Sequence, residues 1–272
     1  MSSELIIQET ILIIPVGMEI GRAMILPPGG KPHQVYLITQ HDSPETPDRG
    51  RFHVQQVYNG LKTRNLNIKI VGCNRFFDLI ELMACYRWIY EKHKNDNIYI
   101  NVGSGSKITA MAGIIINGLF KRIKCFYPKL LITDDTLSID NTGFGFSPLV
   151  DRPQYSIEKT LHIPRFPIKE INENFIPALK YIKETEYATK KGLLDDLINQ
   201  KKHGEVTPIE EIKRDGTKRS AQSLFNMLKR NFIIPMEKED LLNEENSLLN
   251  ITERGEQILS IYTYNEFFEE KL

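Results

Sequence analysis

The stretch that most constrains the fold of this chain runs from residue 98 to residue 118. A short apolar run, 98–102, leads into Gly-Ser-Gly-Ser, and small and apolar residues then continue from Lys107 to Leu119 without a helix breaker. This pattern predicts a buried strand, a tight turn and a buried helix. Because the first amide groups of a helix have no partner within it, the turn predicts a site for an anionic ligand.

Several residues of this turn could serve such a ligand. Glycine at 103 and 105 allows a close backbone approach, and Lys107 supplies a positive charge. Hydroxyl groups come from Ser104, Ser106 and Thr109. The turn is neither a Walker A loop nor the dinucleotide fingerprint, since Ile108 stands where the third glycine belongs. The alternative is an ordinary strand-to-helix turn with a solvated lysine.

The first half of the chain alternates apolar strand-like runs with helical spacing. We predict parallel strands at 10–15, 35–39, 68–71, 98–102 and 123–126, helices between them, and a hairpin over 130–140. The helix at 51–64 would have Phe52 on its apolar side, and Asn74 is a candidate N-cap for the helix at 76–93. Alternation of this kind favours right-handed crossovers and a mostly parallel, Rossmann-like α/β sheet. We assign this domain to residues 1–147.

In such sheets, ligands bind beyond the carboxyl ends of the strands, where the winding reverses. Turns follow the first strand at 16–19 and the fourth at 103–107, so we expect those two strands to be neighbours. Candidate ligand residues after the first strand are Gly17, Met18, Glu19 and Arg22, and Arg75 follows the third strand. Solvated surface charge is the alternative for both arginines. Asp42 and Ser43 are weaker candidates.

The composition changes after residue 147, where four prolines fall within twenty residues, and we predict a linker over 148–175. Beyond it, we predict helices at 171–187, 189–200, 207–213 and 217–231. The last is capped by Thr217, and the first is a candidate bridge between the domains. Two strands follow, at 232–237 and 248–252, and then a final helix. This order is that of a winged helix-turn-helix domain, assigned to 176–272.

The helix at 217–231, with Ala221, Leu224, Phe225 and Leu228 facing the core, would be the DNA-recognition helix of that domain. Such a helix places its N-terminal side chains on base edges in the major groove. The candidates for base contacts are Lys218, Arg219, Ser220, Gln222 and Asn226. Phosphates could be met by Lys190, Lys191, Lys201, Lys202, Lys213, Arg214, Lys229 and Arg230. The acidic wing tip at 239–245 should help little, and a winged helix used only for protein contacts is the alternative.

Residues Asn101-Val-Gly-Ser-Gly-Ser-Lys107 resemble the ligand loop of CARF domains, the CRISPR-associated Rossmann folds. The family usually has two adjacent glycines before its Ser/Thr-Lys pair, whereas Ser104 separates them here. With the C-terminal domain, the chain is similar to CARF transcriptional regulators. The resemblance implies a homodimer whose paired loops bind a cyclic oligoadenylate, most often the tetra-adenylate, and thereby alter binding to double-stranded DNA. It adds Asn101 to the ligand residues.

The sequence supports an enzymatic function less well than a ligand-sensing function. Some CARF relatives cleave the cyclic ligand slowly, and ring cleavage stays an alternative. The Arg-x4–6-His signature of HEPN ribonucleases is not formed by Arg152 and His162, and His41–Asp42 is explained by a polar loop. We therefore expect no cofactor or metal.

The overall composition bears on location and partners. Thirty-five basic residues balance thirty-five acidic ones, so any electrostatic case for nucleic acid must be local. Cys73, Cys85 and Cys125 are odd in number and lack C-x-x-C spacing, which favours reduced thiols in a cytoplasmic protein. Neither a signal peptide nor a membrane span is expected.

Overall fold

The computed structural model describes residues 8–41, 50–130, 157–166, 168–169, 171–202, 209, 217–264 and 267–270. Two compact units divide the chain: a sheet unit, Met1–Lys169 with Tyr264–Leu272, and a helical unit, Glu170–Thr263. Several predictions lie outside the described residues: the hairpin at 130–140 except Leu130, the helix at 207–213 except Ile209, and the candidates Asp42, Ser43, Lys213 and Arg214.

The sheet unit has seven strands in the order β6-β5-β4-β1-β2-β3-β9. Its elements are β1 Thr10–Pro15, α1 Ile20–Ala23, β2 Gln34–Gln40, α2 Arg51–Lys62, β3 Ile68–Cys73, α3 Leu79–Lys92, β4 Asn97–Asn101, α4 Lys107–Leu119, β5 Ile123–Leu130, β6 Ile157–Ile163 and β9 Phe268–Glu270. Strands β1 to β5 are parallel, and β6 and β9 pair antiparallel at the two edges. The Rossmann-like, mostly parallel fold class is confirmed.

The core explains why β1 is a continuous apolar run. A central parallel strand is covered on both faces, so every position must be apolar. Leu12 and Ile14 belong to a buried cluster with Val54, Val57 and Leu61 of α2. Phe52, which the helical spacing predicted for the apolar side of α2, is instead 59% exposed.

Helix α3 begins later than the sequence suggested. Asp78, not Asn74, is its N-cap, and the Asp78 side chain accepts a hydrogen bond of 2.9 Å from the amide of Glu81. The Asn74 side chain donates instead to the hydroxyl of Tyr264 at 3.1 Å.

The predicted linker over 148–175 is wrong for residues 157–163. These residues form β6, which continues the sheet through an antiparallel ladder with β5. Pro164, one of the prolines that suggested a linker, directly follows this strand, as expected for a residue that cannot donate within a ladder.

The helical unit contains α5 Phe175–Glu184, α6 Lys190–Lys202, α7 Ala221–Leu228, a π-helical turn Lys229–Ile233, α8 Ile234–Lys238, β7 Leu242–Glu245, β8 Leu248–Ile251 and α9 Glu253–Thr263. The strand predicted at 232–237 is therefore wrong. Its apolar run is helical, with Phe232 and Met236, four residues apart, fully buried. Ala221, predicted to face the core, is exposed.

The two strands of the helical unit form a tight hairpin. β7 and β8 are antiparallel, and the two residues between them, Asn246 and Ser247, have positive φ angles of 52° and 66°. Both angles suit a two-residue hairpin turn that follows the twist of the strands. No helix in the described part of the chain is long and apolar enough to span a bilayer.

Candidate functional site

The loops that follow β1 and β4 lie side by side. The two strands are parallel neighbours, with Ile13 opposite Ile100, as the sequence predicted. Their loops touch directly, because the amide of Gly17 donates a hydrogen bond of 2.9 Å to the carbonyl oxygen of Ser104. The winding reverses here, since α-crossovers lead from β1 towards β2 and β3 on one side and from β4 towards β5 on the other.

The N-terminus of α4 opens at this point. Ser106 is its N-cap and accepts a hydrogen bond of 3.3 Å from the amide of Thr109. The amides of Lys107 and Ile108, also in the first turn, donate to no acceptor in the described residues. The Lys107 side chain is exposed. Together these groups form a positively polarised end that can accept an anion.

The glycines of the two loops are required by the close packing of these loops against each other and against β5. A Cβ atom at Gly17 would lie 2.7 Å from the Ser104 carbonyl oxygen, and one at Gly103 would lie 2.7 Å from Cδ of Pro128. A Cβ at Gly105 would collide with the Thr109 hydroxyl. None of these glycines has a positive φ angle. They allow the loops and β5 to pack closely, and the sequence argument had assigned that close approach to a ligand.

Three of the polar side chains expected to face a ligand point inward. Asn101, Ser104 and Thr109 are fully buried. The Ser104 hydroxyl donates to the Pro15 carbonyl at 2.9 Å, and the Thr109 hydroxyl donates to the Ser106 carbonyl at 2.7 Å. Asn101 donates to the Arg22 carbonyl at 2.8 Å and accepts from the Gly103 amide at 3.0 Å. These side chains hold the loops in shape.

Arg22 lies beside the two loops. Its Nη1 is 2.6 Å from a carboxylate oxygen of Glu19, and its Cζ is 5.1 Å from the centre of the Tyr127 ring. The side chain is 18% exposed and its Nε atom is buried without a hydrogen-bond partner in the described residues. Met18, in the same loop, is 65% exposed. Arg22 is thus a partly shielded cation at the carboxyl end of β1.

The sequence argument missed Tyr127. β5 was predicted to end at residue 126, but it continues to Leu130, which carries Tyr127 past the end of β4. A Cβ at Gly103 would lie 3.2 Å from its ring. The sequence signal that could have indicated this residue is an aromatic side chain directly before Pro128. Because Gly103 has no side chain, the Tyr127 ring can pack against the turn.

Arg75 has a different role from the predicted one. Its amide and its Nε donate to the two carboxylate oxygens of Glu81, at 2.9 Å and 3.0 Å, and Asp78 lies 3.8 Å from the guanidinium. Hydrogen bonding to Glu81, and then the charge of Asp78, raise the pKa of Arg75. Because the Glu81 side chain is 1% exposed, Arg75 neutralises a buried carboxylate at the start of α3.

The residues predicted to contact base edges lie on α7 or directly before it, whereas Lys190, Lys191, Lys201 and Lys202 lie on α6. Helix α7 starts at Ala221 with Ser220, not Thr217, as its N-cap, so Lys218 and Arg219 precede it. A surface cleft of about 490 Å³ is lined by Arg219, Ser220, Gln222, Ser223, Asn226, Met227 and Arg230. Gln222 donates to Asn226 at 3.2 Å. Lys218 and Lys229 are exposed, and this polar, basic face has the residue types that read base edges.

The hairpin differs from this face in charge. Glu244 and Glu245 lie on β7, and Glu244 forms a 2.6 Å ion pair with Lys190. Lys190, a predicted phosphate ligand, is therefore engaged within the helical unit. No group of three or more potential metal ligands occurs in the described residues.

Comparisons with known proteins give distant similarities. The family described as "HFX_2341_N:-like, N-terminal" matches residues 10–129, from β1 into β5. No curated protein matches.

Three solved structures resemble this chain at low identity. Csm6 of Enterococcus italicus, bound to cyclic hexa-2'-fluoro-hexa-dAMP, is 14% identical with a TM-score of 0.36, over 86% of this chain and 56% of its own. Protein VC1899 of Vibrio cholerae is 11% identical, with a TM-score of 0.37, over 93% and 64%. Can2 of Sulfobacillus thermosulfidooxidans, in complex with cyclic tetra-adenylate, is 11% identical, with a TM-score of 0.34, over 92% and 63%. This chain thus spans less than two thirds of each of these structures.

Proposed function

We propose that this protein is a CARF-like sensor of cyclic oligoadenylate that couples ligand binding to DNA binding by a winged-helix domain. The observation that carries the proposal is the N-terminus of α4. Its first amides and Lys107 lie beside the loop that contains Gly17, at the point where the strand order of the sheet reverses direction. A phosphate is the ligand group that such a helix end accepts best.

A homodimer would present two such helix ends to one ligand. On α4, Lys107, Met111 and Ile114 follow the spacing of one helix face, and Met111 and Ile114 are 50% and 39% exposed. Pairing through this face buries apolar surface beside the loop. A cyclic oligonucleotide repeats its phosphates around a ring, so a symmetric ligand suits a symmetric pair of cations and helix ends.

Ligand binding is tested by calorimetric and thermal-shift titration with cyclic tri-, tetra- and hexa-adenylate. A ligand at 100 times its Kd should stabilise the protein by about 2.7 kcal/mol. Lys107→Ala should weaken affinity by roughly tenfold or more, as for loss of a charged hydrogen bond. Lys121→Ala, which removes an exposed lysine beyond the other end of α4, is the control. The absence of any response to the three rings would refute the proposal.

The same incubations separate sensing from ring cleavage. Mass spectrometry of the recovered nucleotide should show the intact ring for a pure sensor. Linear adenylate products that increase with time would instead establish the ring-nuclease alternative.

DNA binding is proposed for the α7 face. Arg219 and Arg230 supply charge, and Gln222 and Asn226 supply paired donors and acceptors, around one cleft. Gel shifts with the protein's own promoter region should show a complex that Arg219→Ala with Asn226→Ala weakens. Lys238→Ala, at the exposed end of α8, should bind as the wild type does. Equal binding by all variants would show that α7 is not the recognition helix, and the absence of any complex would leave protein assembly as the role of this domain.

A further inference from the structure

The last turn of α4 accepts hydrogen bonds from residues 165 and 168, which precede the helical unit in the chain. Arg165 donates from Nε to the carbonyl of Asn117 and from Nη2 to the carbonyl of Gly118, both at 3.0 Å. The amide of Ile168 donates to the same Gly118 carbonyl at 3.1 Å. The final carbonyls of a helix lack partners within it and carry partial negative charge, so a guanidinium is well placed there.

Close packing reinforces these hydrogen bonds. A Cβ atom at Gly118 would lie 2.7 Å from the carbonyl oxygen of Phe166 and 2.9 Å from the Ile168 side chain. We call the contact of Arg165, Phe166 and Ile168 with Asn117 and Gly118 the α4–connector contact. The sheet unit continues only to Lys169 before the helical unit begins at Glu170.

The same helix begins at the candidate ligand site. α4 has 13 residues, and at about 1.5 Å per residue it is a rod of roughly 20 Å. The hydroxyl of buried Tyr86 on α3 donates to the Thr109 carbonyl at 3.2 Å, and Cys125 Sγ on β5 donates to the Gly113 carbonyl at 3.2 Å. These bonds attach α4 to its neighbours, and because α4 is one continuous helix from Lys107 to Leu119, a displacement of its first turn is delivered to its last.

We propose that the α4–connector contact transmits ligand binding to the helical unit, with Arg165 as the positioning residue. This inference rests on the proposed function and adds its route of regulation. A ligand or a dimer rearrangement that shifts the N-terminus of α4 moves Arg165, Phe166 and Ile168, because they are fixed to its C-terminus. The helical unit then receives a signal through the chain itself, as coupling through a packed element requires.

The test compares DNA affinity with and without saturating cyclic tetra-adenylate in the full-length protein. The wild type should change its DNA affinity by about tenfold. Arg165→Ala should bind the nucleotide and the free-state DNA within about twofold of the wild type, yet lose most of the ligand-dependent change. Arg165→Lys keeps the charge but not the two-pronged donor, so it should restore the change only in part.

Two further variants control for stability. Gly118→Ala displaces the connector without changing a charge, and should uncouple the sites as Arg165→Ala does. Arg64→Ala removes another guanidinium bonded to a backbone carbonyl, that of Met24 at 2.9 Å, and should leave the coupling intact. A full wild-type response in both Arg165→Ala and Gly118→Ala would overturn this inference alone. A wild type that binds no nucleotide or no DNA would overturn the proposed function and the inference with it.

Discussion

Asn101 at the end of β4 is hydrogen-bonded to Arg22 in α1: its Nδ2 donates to the Arg22 carbonyl oxygen at 2.8 Å. Its Oδ1 accepts from the Gly103 amide, so one fully buried side chain fixes both loops of the candidate site. Asn101→Asp replaces the donor by an oxygen that faces another oxygen. We expect it to lower the free energy of unfolding by about 2–4 kcal/mol.

Urea denaturation measures this loss. Asn97→Asp, at the other end of β4, is the matched control because its amide bonds to Gln8 at an exposed site. The control should change stability by less than about 1 kcal/mol. Equal effects at both positions would show that Asn101 does not organise the loops.

Ser104→Ala tests whether this hydroxyl is structural. It removes the buried donor to the Pro15 carbonyl, and we expect a loss of about 1–3 kcal/mol in unfolding free energy. Ser106→Ala should lose about 1 kcal/mol, as for an N-cap. If Ser104→Ala kept wild-type stability but bound nucleotide weakly, its hydroxyl would belong to the ligand.

Arg75→Ala should affect stability and leave nucleotide affinity unchanged. It strips the buried Glu81 carboxylate of its cation, and we expect a loss of about 1–2 kcal/mol, reduced by solvent around the exposed guanidinium. Arg75→Lys should recover part of it. Calorimetry with wild-type affinity for every variant would agree with this role, whereas a selective loss of affinity would return Arg75 to the ligand site.

Cys125 should make stability depend on alkaline pH. Burial raises the pKa of its thiol from 9.0 to about 12. Above pH 9 the unfolded chain loses this proton while the folded protein keeps it, so stability falls as the pH rises from 9 towards 12. Burial also raises the pKa of Tyr86, which acts in the same direction.

The two contributions are separated by Cys125→Ala. Between pH 8 and pH 10.5 the wild type should lose about 1–2 kcal/mol more unfolding free energy than the variant does. Parallel pH profiles would show that the thiol ionises freely in the folded state.

Glu245→Lys tests whether the acidic hairpin opposes DNA. The residue is exposed on β7, so the change should strengthen DNA binding by roughly threefold or more and steepen its salt dependence. Glu237→Lys, exposed on α8, should do less. An unchanged affinity and salt slope would place the hairpin away from the DNA.

The sequence predicted the fold of the sheet unit because its strands are continuous apolar runs separated by helical periodicity. It also predicted that β1 and β4 adjoin, since parallel sheets place ligand loops where the winding reverses. It could not predict that Ser104 turns inward, because the partner, Pro15, lies 89 residues away. Arg75 was likewise assigned to the ligand site from its position after β3. The sequence does not show that Glu81 is buried and therefore needs Arg75 as its partner.

Local sequence patterns gave wrong predictions where the same pattern is compatible with two different structures. The apolar run from Phe232 suits a strand or a helix, and its position against the helical core decides the outcome. Thr217 and Ser220 are both good N-caps, and only the second begins α7. The second error places Lys218 and Arg219 before α7, whereas Gln222 and Asn226 remain on it.

Strand β9 has a consequence for how the protein is made. It pairs with β3, yet it follows the whole helical unit in the chain and is therefore synthesised after it. Phe267, which packs near Trp88 of α3, arrives with it. During synthesis, β3 therefore stays an uncovered edge until residues 268–270 emerge. A fragment that stops before Tyr264 keeps that unprotected edge and the aggregation risk it carries.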